Sequence, residues 1–484
     1  MLFKQVYDYI MTRIERGDWN IHDKLPSIRL LALELEVNRL TVFKAYQLLK
    51  KNGKVYVKEK SGYYVSPADS SANCSVNRSV NSAQFLNEHD LNRTPERYTV
   101  QRNCKMSDIH RVAAVYQFSQ ALIDPNLLPN LFLSEYVKKV FDIYPKLMGT
   151  YSTPQGDAEL REVLCQYLIN HYQIHLHPSE VLITTGAQQA IDLLSRMFIR
   201  PMDAILVERP TYCAAIDVFR GQGARLIPVN ISPNGYDLDK VESLMKQYRP
   251  RFFYMNPTFH NPTGYTLPAS QRKQLVELAE QYRCLLIEDD AFQDMYFDKR
   301  PPEPLFTYDT EGWVVYLRSF CKYVAPGLRI CAVFGRKSVI EPLITAKSLA
   351  DNGTPLVTQK IFIHYFQSER MQQHLAKLRI ALQIRRDIME EELTLAPIDW
   401  KWVTPNGGLN LWLQLPETVP VSTLLDECLR QAIAFLPGQI CDPLNEMQSW
   451  IRLSYSFVNE EQLRIGIRQL ATIAQSIQSR EIRC

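Results

Sequence analysis

A polar stretch that opens with Ser66-Pro67-Ala68-Asp69-Ser70-Ser71-Ala72-Asn73 and runs to about Ile109 divides this chain into two unequal parts. It is rich in Ser, Asn, Arg and Glu, has little apolar periodicity, and reads as a linker. Taken as residues 67–112, such a segment spans roughly 35–40 Å as a flexible coil. The expected organisation is therefore a short module over 1–66, a linker over 67–112 and a large domain over 113–484. Charge follows the same division. Residues 1–65 hold 12 Lys+Arg against 7 Asp+Glu, a net of +5, while the whole chain carries +3, so the remainder sums to −2. The overall balance alone argues against a nucleic-acid binder. The gradient suggests a polyanion-binding module at the amino end, with a solvated basic face as the other reading.

Composition narrows the class. With 46% hydrophobic and 22% charged residues, the 484-residue chain is ordinary globular material, and 18 glycines exclude a glycine-rich repeat. Lys4 and Asp8 follow Met1 too closely for a signal peptide. No uncharged apolar run reaches about 18 residues, so no membrane span is expected. The ten cysteines form no C-x-x-C pair. We read them as reduced thiols of a cytoplasmic protein.

In the first module, Phe3, Val6, Tyr7, Ile10 and Ile14 recur at helical spacing, and Gly17-Asp18 breaks the run. Ser27 can cap a second helix over Ile28–Leu35, and Asn38 a third over Arg39 to about Lys51, stopped by Gly53. Val42, Ala45, Tyr46, Leu48 and Leu49 form the expected buried face of the third. Val55-Tyr56-Val57 and Gly62-Tyr63-Tyr64-Val65 then read as two short strands. Helix, helix–turn–helix and hairpin make a winged helix–turn–helix.

The motifs Lys24-Leu25-Pro26-Ser27-Ile28-Arg29-x-Leu31-Ala32, Val37-Asn38-Arg39-x-Thr41-Val42-x-x-Ala45-Tyr46 and Ser61-Gly62-Tyr63-x-Val65 resemble the GntR family of bacterial repressors. The resemblance implies binding to double-stranded DNA, with the third helix in the major groove. Arg29 and Arg39 would contact bases or nearby phosphates. Ser27, Thr41 and Lys44 would grip the backbone, and Gly62 would form the wing tip.

The large domain alternates strand and helix patterns. Val314–Leu317 reads as a strand followed by Arg318-Ser319-Phe320-Cys321-Lys322. A lysine in apolar surroundings has a depressed pKa, which suits Schiff-base chemistry. Ser319 before it and Arg329 after it could converge on a phosphate. Val181-Leu182-Ile183-Thr184-Thr185-Gly186-Ala187-Gln188 is a strand, a small-residue turn and a helix start, whose free amides suit a phosphate. Leu285-Leu286-Ile287-Glu288-Asp289-Asp290 is a buried strand ending in carboxylates. Asn256-Pro257-x-x-His260-Asn261-Pro262-Thr263-Gly264 presents an amide. Together these are the parts of a pyridoxal 5'-phosphate (PLP) site.

In this order they resemble the fold-type I, class I/II aminotransferases, over roughly residues 116–470. The resemblance implies an α/β domain with a central, mostly parallel sheet and a smaller α+β C-terminal subdomain. It makes Lys322 the Schiff-base lysine and Asp289 the partner of the pyridine nitrogen. Asn261 would bond the ring's 3-oxygen, and Tyr212 would stack on the ring. Ser319, Arg329 and Gly186, Ala187 and Gln188 would hold the phosphate. Tyr151 would reach the phosphate of the other subunit, which implies a homodimer, and Arg452 would grip an effector's carboxylate. Asp290 is read as structural. The family's usual tyrosine after the ring aspartate is missing, because Ala291 and Phe292 stand there. The 3-oxygen then loses a donor, and a more basic Schiff base is expected. His171, His175 and His177 are read as a helix end, with no metal site.

A GntR-type reader joined to an aminotransferase-like domain is the architecture of the MocR (GabR-type) subfamily. It implies a PLP-dependent transcriptional regulator with an amino compound as effector. An active aminotransferase with an accessory reader, and a sensor of PLP itself, are the alternatives.

Overall fold

The computed structural model describes residues 2–58, 62–66, 109 and 112–481, so the expected linker lies almost wholly outside the described residues. The chain forms two units with separate cores, one within residues 1–99 and one within 100–484.

In the first unit, helix α1 spans Leu2–Glu15, α2 Ile28–Glu34 and α3 Arg39–Lys51. Ser27 accepts from the Leu30 amide at 3.2 Å and Asn38 from the Leu40 amide at 2.9 Å, so both expected caps form. Between the helices Glu36 adopts a left-handed conformation (φ 47°), and the Val37 amide returns to the Ala32 carbonyl. Gly53 (φ 68°) closes α3. Strands β1 (Val55–Lys58) and β2 (Gly62–Val65) pair antiparallel, with Val55 opposite Val65. Val6, Ile10, Leu31, Val42, Ala45, Tyr46, Leu49, Val55 and Val65 make the core. Leu48 is only half-buried. The hydroxyl of the buried Tyr46 donates to the Pro26 carbonyl, which ties α3 to the start of α2.

The second unit is built on a seven-stranded sheet. Its strands are β4 (Val181–Thr185), β5 (Ala204–Arg209), β6 (Arg225–Asn230), β7 (Phe252–Met255), β8 (Leu285–Asp290), β9 (Val314–Ser319) and β10 (Ile330–Phe334). They lie in the order β4-β10-β9-β8-β7-β5-β6. All neighbours are parallel except β10, which runs antiparallel to both β4 and β9. Every residue of β8, β9 and β10 is buried, because helices cover both faces of the sheet. Alternation sorts the side chains. Ile205, Val207, Tyr254, Ile287 and Val315 share one apolar cluster, whereas Leu206, Phe253, Leu286 and Val314 belong to the other.

A smaller subdomain follows. Its three-stranded antiparallel sheet is β11 (Asn410–Gln414), β14 (Trp450–Ser454) and β13 (Leu436–Pro437), and the helix Glu460–Glu481 closes the described chain. The short strand β12 (Ile433–Ala434) pairs with β3 (Tyr116–Gln117), which joins this subdomain to the beginning of the unit. No helix among the described residues is long and apolar enough to cross a membrane.

Candidate functional site

The loops at the carboxyl ends of the parallel strands converge on one cavity, the expected place for a ligand in an open α/β sheet. Asp289 is the penultimate residue of β8 and Ser319 ends β9, Asn256 follows β7 and Tyr212 follows β5. Gly186 leads from β4 into the helix Ala187–Phe198. Ala187, Gln188, Tyr212, Asn261, Asp289, Ser319, Lys322 and Arg329 all line a cavity of about 140 Å³. It shares Leu122, Tyr212, Asn261 and Lys322 with an adjoining space of about 340 Å³, which Arg452 also lines. A larger open cleft of about 1230 Å³ lies at the other end of the strands, among Arg200, Arg225, Arg249 and Arg251. It holds none of these groups, so chemistry rather than size selects the site.

Lys322 Nζ donates to the Ala121 carbonyl at 3.1 Å. Burial first, then the charges of Arg452 and Arg329, lower its pKa to about 8. Asp289 is held from one side only. Its Oδ2 accepts from the Tyr254 hydroxyl at 2.6 Å, while its Oδ1 is buried without a partner. Burial raises the carboxyl to about 6, against the pull of Tyr254 and Asn256. A buried, unpartnered carboxylate oxygen facing this cavity fits a protonated pyridine nitrogen, since buried polar groups otherwise find partners.

The phosphate cradle follows from the topology. Antiparallel β10 places Ile330 opposite Thr185, so Arg329 stands at the turn after β4 and donates to the Thr185 carbonyl at 3.1 Å. Gly186 has φ 84°, and a Cβ there would meet the Arg329 guanidinium. The amides of Ala187 and Gln188 open a helix that does not use them. Gln189 fixes the turn, accepting from the Thr185 amide at 2.8 Å and donating to Asp351 at 2.7 Å. Two cations' worth of chemistry, a guanidinium and a helix amino terminus, thus face one point.

Arg452, on β14, is buried and reaches across to Asn261, donating to its Oδ1 at 2.9 Å. Its Nη2 donates to the Ser119 carbonyl, and its Nε is buried without a partner. With its oxygen engaged, Asn261 has its amide nitrogen left to donate. The Tyr212 hydroxyl donates to Gln188 at 3.3 Å, and burial raises its pKa. Ala291 and Phe292 both line the cavity, and neither offers a hydroxyl. Tyr151 does not line its own chain's cavity and is 82% exposed.

Several contributors were not apparent from the sequence. Tyr254 holds Asp289, and Thr258 and Leu122 form walls. Period two along β7 places Tyr254 and Asn256 on one face, which was the available signal. Glu208 organises the Asn256–Gly264 turn. It accepts from the Asn256 amide at 2.7 Å and from Tyr236, and it lies 3.1 Å from His260. Arg272 braces the same turn through the Pro257 carbonyl and Thr258. Asp290 faces away and pairs with Arg318 at 3.0 Å and with Tyr316. His177 accepts from the Ser179 amide at a helix start, and His171 packs against Tyr167 with the rings tilted by 32°. Among the described residues no group of three or more His, Cys, Asp or Glu side chains is arranged for a metal ion.

In the first unit, Ser27, Arg29, Arg39 and Lys44 are exposed, and Thr41 and Gly62 are half-buried. Residues 59–61 of the wing lie outside the described residues.

Comparison with known proteins agrees with both units. The model for aminotransferase class I and II matches residues 146–470, and the model for bacterial regulatory proteins of the gntR family matches residues 2–65. An uncharacterized HTH-type transcriptional regulator, YisV of Bacillus subtilis (strain 168), is 31% identical over 98% of this chain and 96% of its own. The HTH-type transcriptional regulator NorG of Staphylococcus aureus is 28% identical over 94% of this chain and 100% of its own. The crystal structure of LysN, an alpha-aminoadipate aminotransferase from Thermus thermophilus, matches with a TM-score of 0.72 at 29% identity. It covers 77% of this chain and 95% of that one, and was solved with N-(5'-phosphopyridoxyl)-L-leucine. The fold and site therefore define a winged helix–turn–helix joined to a fold-type I PLP domain. The chain belongs to the class I and II aminotransferase family, and its GntR module gives it the organisation of the HTH-type transcriptional regulators it matches over nearly its whole length, consistent with the MocR-type subfamily. Pyridoxal 5'-phosphate is its cofactor.

Proposed function

We propose that this protein is a homodimeric, PLP-dependent transcriptional regulator that binds double-stranded DNA and answers to an amino compound. What carries this reading is the extent of the likeness. Regulators match the reader and the body together, whereas the LysN likeness covers 77% of the chain. Phe292, where a donor is usual, supports a site that binds rather than one tuned for turnover.

When bound, PLP supplies an aldehyde that condenses with primary amines and an electron-withdrawing ring. The chain's residues do the rest. Burial keeps a fraction of Lys322 neutral near pH 7, the form that an aldehyde would require. Asp289 would pair with the ring nitrogen, and Arg329, Ser319 and the Gly186–Gln188 turn would hold the phosphate. Tyr212 and Asn261 would contact the ring, Asn261 through its amide nitrogen. Tyr151, exposed on its own chain, would serve the partner's phosphate. Arg452 receives a carboxylate on the effector. Lys322 and Arg452 line adjoining spaces, so an amino compound held by Arg452 would lie beside Lys322, and a different affinity for such a compound in two conformational states is what a switch would require. In the reader, Arg29 and Arg39 meet bases or phosphates, and Ser27, Thr41, Lys44 and Gly62 meet the backbone.

The test is Lys322→Ala. Duplex binding should persist while the response to amino compounds disappears. A surviving response overturns the mechanism. A second reading, turnover of an amino donor with a keto acid, is favoured by the complete set Lys322, Asp289, Asn261 and Arg452. Steady keto-acid-dependent turnover without specific duplex affinity would establish it.

A further inference from the structure

The outward face of α3 holds groups for which the reader's family pattern gives no role. At about 100° per residue, Val42, Ala45, Tyr46 and Leu49 occupy one side of the helix, and all four are buried. Leu40, Phe43, Lys44 and Gln47 occupy the remaining arc, with Arg39 at its boundary beside Tyr46, and all five are exposed. Within that arc Leu40, Phe43 and Gln47 lie at the centre, and Arg39 and Lys44 lie at its two edges. Leu40 is 59% and Phe43 41% exposed. A single exposed leucine needs no explanation. A leucine and a phenylalanine one turn apart, in the amino-terminal half of a helix–turn–helix second helix and bracketed by cations, are a different matter. The amino-terminal part of that helix is the part that meets base edges. Phosphates flank the major groove and suit the cations. Its floor offers an apolar group at one base only, the C5 methyl of thymine.

We propose that Leu40 and Phe43 read thymine methyl groups in the major groove, which makes them specificity-determining residues of this regulator. The assignment rests on the reading of the module as a DNA reader. Gln47 fits the same site. Its amide nitrogen donates to the Tyr63 hydroxyl at 3.2 Å, which steadies the side chain, and its oxygen is of the type that accepts from the amino group of an adenine. Position is also fixed from within. The Asn38 cap on the Leu40 amide holds the first turn, and the Tyr46 hydroxyl bond to the Pro26 carbonyl sets the helix against α2. The prediction is a half-site whose central major-groove contacts are A·T pairs, gripped at its edges by Arg39 and Lys44.

The test uses the full-length protein to select duplexes from a random pool. The selected duplex is then remade with deoxyuridine in place of thymidine, which removes the methyl and preserves pairing. Binding to the deoxyuridine duplex should weaken about fourfold for each methyl contacted, the worth of one buried carbon. The double variant Leu40→Ser with Phe43→Ser should bind more weakly and lose the difference between the two duplexes. Both side chains lie outside the reader's core, and the deoxyuridine comparison on the unaltered protein needs no variant at all. Equal affinity of the unaltered protein for the two duplexes overturns the proposal while leaving the DNA reader in place. That outcome would mean these side chains serve another surface. Failure to select any duplex overturns the reader itself.

Discussion

Asp289 meets Tyr254 through one oxygen and holds the other free, and Tyr254 is the first of the two donors, with Asn256, that favour its ionised form. That donor favours the ionised carboxylate. Removing it with Tyr254→Phe should raise the carboxyl above its value of about 6 and weaken PLP retention near neutral pH about tenfold, measured by equilibrium dialysis against absorbance. Lys322 gives a pH dependence of opposite origin. Burial disfavours its ammonium, so the neutral, reactive amine appears through pH 8 rather than near 10.5. The rate at which the apoprotein takes up PLP should therefore rise with pH to a plateau above about 8. Phe292→Tyr should supply the 3-oxygen with a donor, stabilise the deprotonated cofactor, and move the titration of its visible band to lower pH. An unchanged midpoint would mean the new hydroxyl does not reach. Lys322, Asp289 and Asn261 were legible in the sequence because each ends or follows a strand whose pattern is local. Tyr254 was not, because its role depends on which strand lies beside β8.

At the scale of elements, the turn from Asn256 to Gly264 owes its shape to Glu208, which is distant in sequence. Glu208→Ala would strand the buried Asn256 amide and the Tyr236 hydroxyl. We expect a loss of about 3 kcal/mol in the body's stability together with weaker PLP binding, read by thermal unfolding with and without cofactor. In the reader, Asn38→Ala removes the cap of α3 and should cost about 1 kcal/mol, with no change in the cofactor's spectrum. The boundaries of α2 and α3 were readable to within a residue, because Ser27, Asn38 and Gly53 act on their immediate neighbours. Leu48 was expected inside and is half-buried, since periodicity locates a face but not its edge. The converse held for Leu40 and Phe43. Their apolar character carried no signal of position until the buried arc of α3 was known.

For the whole molecule, the charge gradient and the polar stretch suggest a division into two parts, and the described residues form two units with separate cores, divided between Thr99 and Val100. A chain trimmed to residues 113–484 should keep the PLP band and lose duplex affinity, measured by absorbance and by mobility shift on one preparation. The separate cores have one more consequence. Leu40, Phe43 and Gln47 contribute nothing to the reader's interior, and the interior of the body contains none of them. If these side chains read the operator as proposed, substitutions at the three positions would readdress the protein to other promoters and leave the cofactor site of the body unaltered. Descendants of one such gene would then diverge in the genes they govern without any change at Lys322 or Asp289.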